Sequence, residues 1–349
     1  VLAAQAAIDA ASALIAFSLA RSLFGAGIGV LTLAAMILFP LSAYYTLRML
    51  PEALFTLAFI AAVASFRSAL ATDTIAAYVR VGVLGGVAAL VKPVGLLLVP
   101  IYGLILFAAR RPLPWRPVAV MFLCQALVIA PWTVRNWVVS GYFVPVATGA
   151  GFSLWVGNNL ITGGVEEVEG DALLALDQRM RTIAAAADGQ DPALLDWEPS
   201  TGVGHSANIT PDVDRAFARE ALREMKAHPA ETLVIVSRKV VRLWFSIGRL
   251  KNQWAQGYVA LVQGALLTLA GWGIVIAWRR GLQLWPLLVP IGYVTAVHAL
   301  TFSTLRYSIP LMPLVIMFAV FGALDLCARV LGRLAIERPA WLAALQAER

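Results

Sequence analysis

RPVAVMFLCQALVIAPWTVRNWVVS, residues 116–140, is the stretch whose reading decides the fold. It opens on Arg116, continues through an apolar run, and closes on Pro131-Trp132-Thr133-Val134-Arg135-Asn136-Trp137. A bilayer crossing needs about 20 predominantly apolar residues, so the spacing predicts a membrane helix over 116–139. Its two Trp and Arg135 then fall at a membrane–water boundary, where such side chains anchor a span. Working outward, comparable runs predict helices near 1–20, 27–47, 51–70, 76–91, 93–109, 256–278, 284–304 and 309–331. At Lys92-Pro93 an apolar stretch divides in two, because proline lacks an N–H and pushes the preceding residue out of the helical region.

Composition agrees with these runs. Sixty per cent of the 349 residues are hydrophobic, 13% are charged, and the mean hydropathy is +0.79. A soluble domain of this length cannot hide that much apolar surface, whereas a bilayer accepts it. The expected fold class is all-α: a polytopic membrane helical bundle with one large extracytoplasmic loop region. The net charge of +7 resides mostly in short loops between apolar runs, which is a topology signal and not a polyanion-binding face. Nucleic acid is therefore not an expected partner; membrane lipids are. Cys124 and Cys327 lie in separate apolar runs and read as small buried hydrophobes. The three histidines are scattered and give no zinc spacing.

Three regions follow: N-terminal transmembrane helices over 1–139 (about six), an extracytoplasmic region with interfacial helices over 140–255, and C-terminal transmembrane helices (about three) with a cytoplasmic tail over 256–349. Arg110, Arg111 and Arg116, then Arg279 and Arg280, then Arg329 and Arg333 mark cytoplasmic turns by the positive-inside rule. The 140–255 region and the turns at Arg48-Pro51, Lys92 and Leu305-Ser308 then face outward, and the protein is expected in the plasma (inner) membrane. The same count places Val1 outside. Val1 is not an initiator Met and lacks a basic leader, so at least one further span is expected upstream. Within the outer region, 149–159 reads as turn-rich and 163–171 as acidic. Asp171 to Ala187 has helical spacing, and Thr210-Pro211-Asp212 opens a helix with a capping residue and Pro at the first position. Ala230 to Gly248 mixes Arg238, Lys239 and Arg242 with Leu, Val, Trp244 and Phe245, as an amphipathic segment at the membrane interface does.

Ionisable residues near membrane depth are costly, so each is a candidate for function. Arg48, Glu52, Lys92 and Arg306 all fall at outward ends of their helices. Arg and Lys give charge-assisted bonds to phosphate oxygens. Each has a plainer reading too: Glu52 follows Pro51 and complements a helix dipole, Arg48 and Arg306 serve as snorkelling anchors, and Arg135-Asn136 belongs to an interfacial belt. Lys92 at an X-Pro break is hardest to explain in that way. Glu166, Glu167, Glu169 and Asp171 form either a divalent-cation site or a solvated acidic loop. His298, inside a span, is either a hydrogen-bonded core residue or a cavity residue.

The motifs together resemble a known family. Pro131-Trp132-Thr133-Val134-Arg135-Asn136-Trp137, then Gly141-Tyr142-Phe143-Val144-Pro145, then Gly151-Phe152-Ser153-Leu154-Trp155-Val156-Gly157-Asn158-Asn159 is similar to a run found in glycosyltransferases of the C-type membrane fold. These are the bacterial relatives of protein O-mannosyltransferases and of the lipid A aminoarabinose transferase. Arg48-Met49-Leu50-Pro51-Glu52-Ala53-Leu54-Phe55, Leu90-Val91-Lys92-Pro93-Val94-Gly95 and Arg306-Tyr307-Ser308-Ile309-Pro310 resemble further family motifs.

The resemblance implies transfer of a sugar, hexosyl or pentosyl, from a polyprenyl-phosphate donor to a protein, lipid or glycan acceptor outside the membrane, in protein glycosylation or lipopolysaccharide modification of the cell envelope. It implies a donor phosphate held by Lys92, Arg306, Arg135 and Tyr307, and an acceptor side lined by Arg48, Asn136, Asn158 and Asn159. The family's general base resembles an Asp in a first outer loop, expected upstream of Val1; Asp9 does not replace it, and activity of the chain is in question for that reason. Glu52 is a further catalytic candidate, orienting the acceptor or joining a metal site; the motifs single out no cofactor, and a divalent metal is the one kept open. A transporter or flippase for a lipid-linked substrate is the competing function, disfavoured because no symmetry of halves is visible; a membrane scaffold is a third.

Overall fold

The computed structural model describes residues 2–48, 50–110, 113–164, 170–188, 209–246 and 253–333. Met49, Arg111, Glu166, Glu167, Glu169 and His205, all singled out from the sequence, lie outside the described residues. Among the described residues the chain forms fourteen α-helices and no strand. In order they are α1 Leu2–Phe24, α2 Ala26–Leu38, α3 Pro40–Thr46, α4 Glu52–Thr72, α5 Ile75–Val91, α6 Leu98–Ala109, α7 Trp115–Ser140, α8 Ala150–Asn158, α9 Asp171–Asp188, α10 Pro211–Ala227, α11 Pro229–Phe245, α12 Gln253–Arg279, α13 Trp285–Leu300 and α14 Met312–Arg333. By length and composition, five helical stretches are fit to cross a membrane, and a sixth if α2 and α3 count as one bent span; α5, α13 and the Pro93–Ala109 stretch are shorter apolar helices. The chain is an all-α polytopic membrane protein.

Several expectations are refined. The helix foreseen over 27–47 is broken, with α2 and α3 meeting at 51°. Pro40 is the reason: its ring removes an N–H and leaves Phe39 extended at ψ 110°. Pro93 acts as foreseen, opening a 3-10 turn over Pro93–Leu97 before α6. The last two predicted spans are corrected at their junction. α13 stops at Leu300, and a 3-10 segment over Leu305–Leu311 precedes α14. The 149–159 stretch, expected as turns, contains α8, which starts after Gly149 at φ +103°. α10 begins as read: the Thr210 hydroxyl accepts from Val213 N at 3.3 Å, with Pro211 in the first turn. Both cysteines are free; Cys124 is half-buried, but Cys327 is exposed on α14, where a buried residue was expected.

The chain divides into two compact units. The first comprises 1–131, 260–293 and 308–349, the second 132–259 and 294–307. In the first unit α1 packs on α2, α4 and α14, and α4 packs on α5. Phe24 stacks on Phe321 with centroids 4.1 Å apart, and Phe66 stacks on Tyr102 at 3.9 Å. Between helices in lipid the hydrophobic effect offers little, so close backbone approach must help. Gly273 on α12 and Gly322 on α14 supply it. A β-carbon at Gly273 would lie 2.1 Å from Phe318 O, and one at Gly322 would lie 2.1 Å from Leu269 O.

The second unit has an aromatic core of its own. Phe152, Trp155 and Val156 of α8, Leu176 and Met180 of α9, and Val213 and Phe217 of α10 form one buried cluster. Gly151 brings α8 and α10 together, since any β-carbon there would sit 2.0 Å from Asp214 O.

Candidate functional site

Lys92 and Glu52 meet in the first unit. Pro51 precedes α4 and puts Glu52 at its first turn, while the X-Pro break after α5 leaves Lys92 extended at φ −143°. Lys92 Nζ donates to Glu52 Oε1 at 2.7 Å, with side-chain exposures of 15% and 3%. The ammonium also stands 5.9 Å from the centroid of the Phe55 ring. A charge pair so removed from water is weak evidence for stability but a firm orienting device, because removing either partner takes away a charge-assisted bond made out of water. Arg48, exposed just after α3, lays its guanidinium 4.6 Å over the Tyr44 ring. Asp9 accepts from the Thr46 hydroxyl.

In the second unit Trp132, Thr133 and Asn136 brace the Phe143–Pro145 motif and Val146. Trp132 Nε1 donates to Val146 O at 2.8 Å and the Thr133 hydroxyl to Pro145 O at 2.9 Å. The Asn136 amide donates to Val144 O at 3.0 Å and Val146 O at 3.1 Å. These carbonyls belong to an irregular segment that supplies no partners of its own, so side chains must satisfy them. Arg135, on the same turn, is exposed. It lies 4.9 Å over the Trp132 ring and donates to Asn136 Oδ1 at 3.2 Å. Asn136, expected beside the acceptor, thus places its amide nitrogen on two backbone carbonyls and its oxygen on Arg135.

Arg306 and Tyr307 lie on the 3-10 segment after α13. Arg306 donates to the Tyr307 hydroxyl at 2.9 Å and lies 4.9 Å from that ring's centroid. The ring stacks on His298 at 4.4 Å and 11°, and His298 Nδ1 is 3.1 Å from Phe302 O. His298 is thus a half-buried, hydrogen-bonded residue that supports Tyr307. Asn158 and Asn159 are both buried. Asn158 donates to Leu154 O at 2.7 Å and Leu300 O at 2.6 Å; Asn159 donates to Val156 O at 2.8 Å, and its oxygen accepts from Thr162 N at 3.0 Å. Their amides hold main chain together.

Sequence reasoning missed Lys239. It was grouped with the basic residues of an amphipathic segment, yet it faces inward on α11 at 0% exposure. Burial, with some help from the nearby Arg242 charge, pulls its ammonium down to about 7. Three oxygens within hydrogen-bond reach oppose that pull. Helical spacing held the signal: Leu233, Val234 and Val241, on the opposite side of α11, are exposed. Among the described residues no group of three or more His, Cys, Asp or Glu stands close enough to hold a metal ion.

Residues 1–134 match the family model described as dolichyl-phosphate-mannose-protein mannosyltransferase. Comparison with curated proteins and with solved structures returns no match. The matched segment contains Glu52 and Lys92 and ends one residue before Arg135. The match agrees with what the motifs suggested: over its first 134 residues the chain is similar to that mannosyltransferase family, which supports a membrane glycosyltransferase of the C type.

Proposed function

We propose that the protein transfers a sugar from a polyprenyl-phosphate donor to an acceptor on the outer face of the plasma membrane. The observation that carries this reading is the buried Lys92–Glu52 pair inside the matched segment. In the reaction the anomeric carbon's bond to phosphate oxygen breaks, and its electron pair leaves with the polyprenyl phosphate. A bond to the acceptor's oxygen forms as that hydroxyl gives up its proton, which balances the charge gained by the phosphate and passes to it or to solvent. Negative charge grows on the departing phosphate, so preorganised cations are what the chemistry asks of the protein. Lys92 is a proposed phosphate contact in the first unit, and Arg135 and Arg306, with the Tyr307 hydroxyl, are proposed for that role in the second. Glu52 holds Lys92 in place. Arg48 is proposed to face the acceptor, and Asn136, Asn158 and Asn159 to act through the backbone they hold. The positive-inside count favours the 140–255 region outside.

The test is transfer of radiolabelled sugar from a polyprenyl-phosphate donor by the full chain in proteoliposomes. Lys92→Ala and Arg306→Ala should each lower transfer by about a hundredfold or more. Transfer that survives both substitutions unchanged would reject the phosphate assignment. Movement of intact donor across the bilayer without sugar transfer would favour a flippase instead.

A further inference from the structure

A lysine side chain at 0% exposure wants a reason, because lysine is among the residues least often buried and a charge without compensation is costly. The compensation around Lys239 is specific. Its ammonium has three protons to donate, and three oxygens receive them: Asn158 Oδ1 at 2.8 Å, Thr301 O at 2.9 Å and Leu300 O at 3.2 Å. Two of these are carbonyls at the C-terminal end of α13, where a cation complements the helix dipole and the orphan acceptors. Asn158 bridges the arrangement, giving its oxygen to Lys239 and its amide to Leu300 O.

The same strip of chain is fastened again further on. The Ser303 hydroxyl donates to Lys239 O at 2.7 Å, and Leu305 N donates to Ser246 O at 3.2 Å. Gly157 allows Thr301 to approach, since a β-carbon there would lie 1.7 Å from Thr301 O. Residues 300–305 are therefore tied to α8 and α11 immediately before Arg306-Tyr307. The Tyr307 ring is in turn stacked on His298, from the last turn of the helix that Lys239 caps. Shifting this strip moves Arg306 and the platform beneath its neighbour together.

We propose that Lys239, bridged by Asn158, is a positioning residue that sets Arg306 and Tyr307 for the donor phosphate. The proposal rests on the reading of Arg306 given above, and it joins two motifs distant in sequence, Gly157-Asn158-Asn159 and Arg306-Tyr307, through a lysine outside both.

The test uses the full chain in detergent and in proteoliposomes, with Lys239→Met, an apolar replacement of similar length. Two measurements are made. Trypsin cleavage after Arg306, followed by mass spectrometry, reports the fastening without any need for activity. The kcat/KM for a polyprenyl-phosphate sugar reports its consequence. Cleavage should quicken severalfold, and kcat/KM should fall about tenfold to a hundredfold, the scale of a small misplacement at a reacting centre. On an Arg306→Ala background the Lys239→Met loss should shrink to the part carried by Tyr307, since the rest acts through the missing guanidinium. A folded Lys239→Met chain cleaved and active like the parent overturns the proposal, and so do losses that add fully to those of Arg306→Ala. Should Lys239→Met lose its folded elution peak, Ser303→Ala, which removes one fastening, is read by the same criteria. If the parent transfers no sugar, the proposed function fails while the cleavage result still judges the fastening.

Discussion

Replacing Lys92 by methionine leaves the Glu52 carboxylate, 3% exposed, without the ammonium 2.7 Å away. Loss of one member of a buried ion pair costs about 3–5 kcal/mol, because the survivor keeps its desolvation penalty and loses its attraction. The reverse change, Glu52→Gln, is milder. The Lys92 side chain is 15% exposed, and its four-carbon stem lets the charge move toward water, so about 1–2 kcal/mol is expected. The double variant removes both charges and should return to within about 1 kcal/mol of the parent. The cycle thus predicts a coupling of at least about 3 kcal/mol, with a fixed order of stability: parent and double variant above Glu52→Gln, and Glu52→Gln above Lys92→Met. Unfolding in detergent, followed by fluorescence of the eleven tryptophans, measures it. Activity adds a second reading, because the double variant should be stable and yet fail to transfer sugar. A Lys92→Met chain as stable as the parent, or single-variant losses that simply add, would refute the reasoning.

Two further outcomes are expected. Gly157→Ala should abolish a monodisperse folded peak on size-exclusion chromatography, since its β-carbon would lie 1.7 Å from Thr301 O, whereas Gly257→Ala, with nothing within 4 Å, should elute like the parent. Stability should rise with pH from about 7 toward the ordinary lysine range: there the unfolded chain holds a proton that folded Lys239 has released, giving a slope of up to about 1.4 kcal/mol per pH unit. Below about 7 both states are protonated and the contribution is flat at its least favourable value; Lys239→Met should remove the rise in a denaturation series over that range.

What could be read from residues in order was local. Apolar run length exposed the spans, Pro93 divided one of them, and Thr210-Pro211-Asp212 opened α10 where such residues satisfy orphan N–H groups. Glu52 and Lys92 stood out because charge near membrane depth is costly, but their pairing across 40 residues was not visible. Pro40 carried the same message as Pro93 and was passed over inside a longer apolar run. α8 was hidden by its glycines: Gly149 and Gly151 suggest turns, and only the approach of Asp214 O shows why the second is small. The end of α13 was out of reach altogether, because Lys239, 61 residues earlier, caps it. Fastenings made between distant segments leave no period in a sequence.

The crossing of α12 and α14 at Gly273 and Gly322 has a consequence for how the molecule comes apart. That seam is steric, and neither protons nor dissolved ions can compete for it. Glu52–Lys92 and the Lys239 cluster are joints of another kind, made by a cation on oxygen acceptors. Substitutions that remove a charge should therefore loosen those joints and leave α12 and α14 clasped, an order of disassembly written in which joints carry charge and which carry only shape.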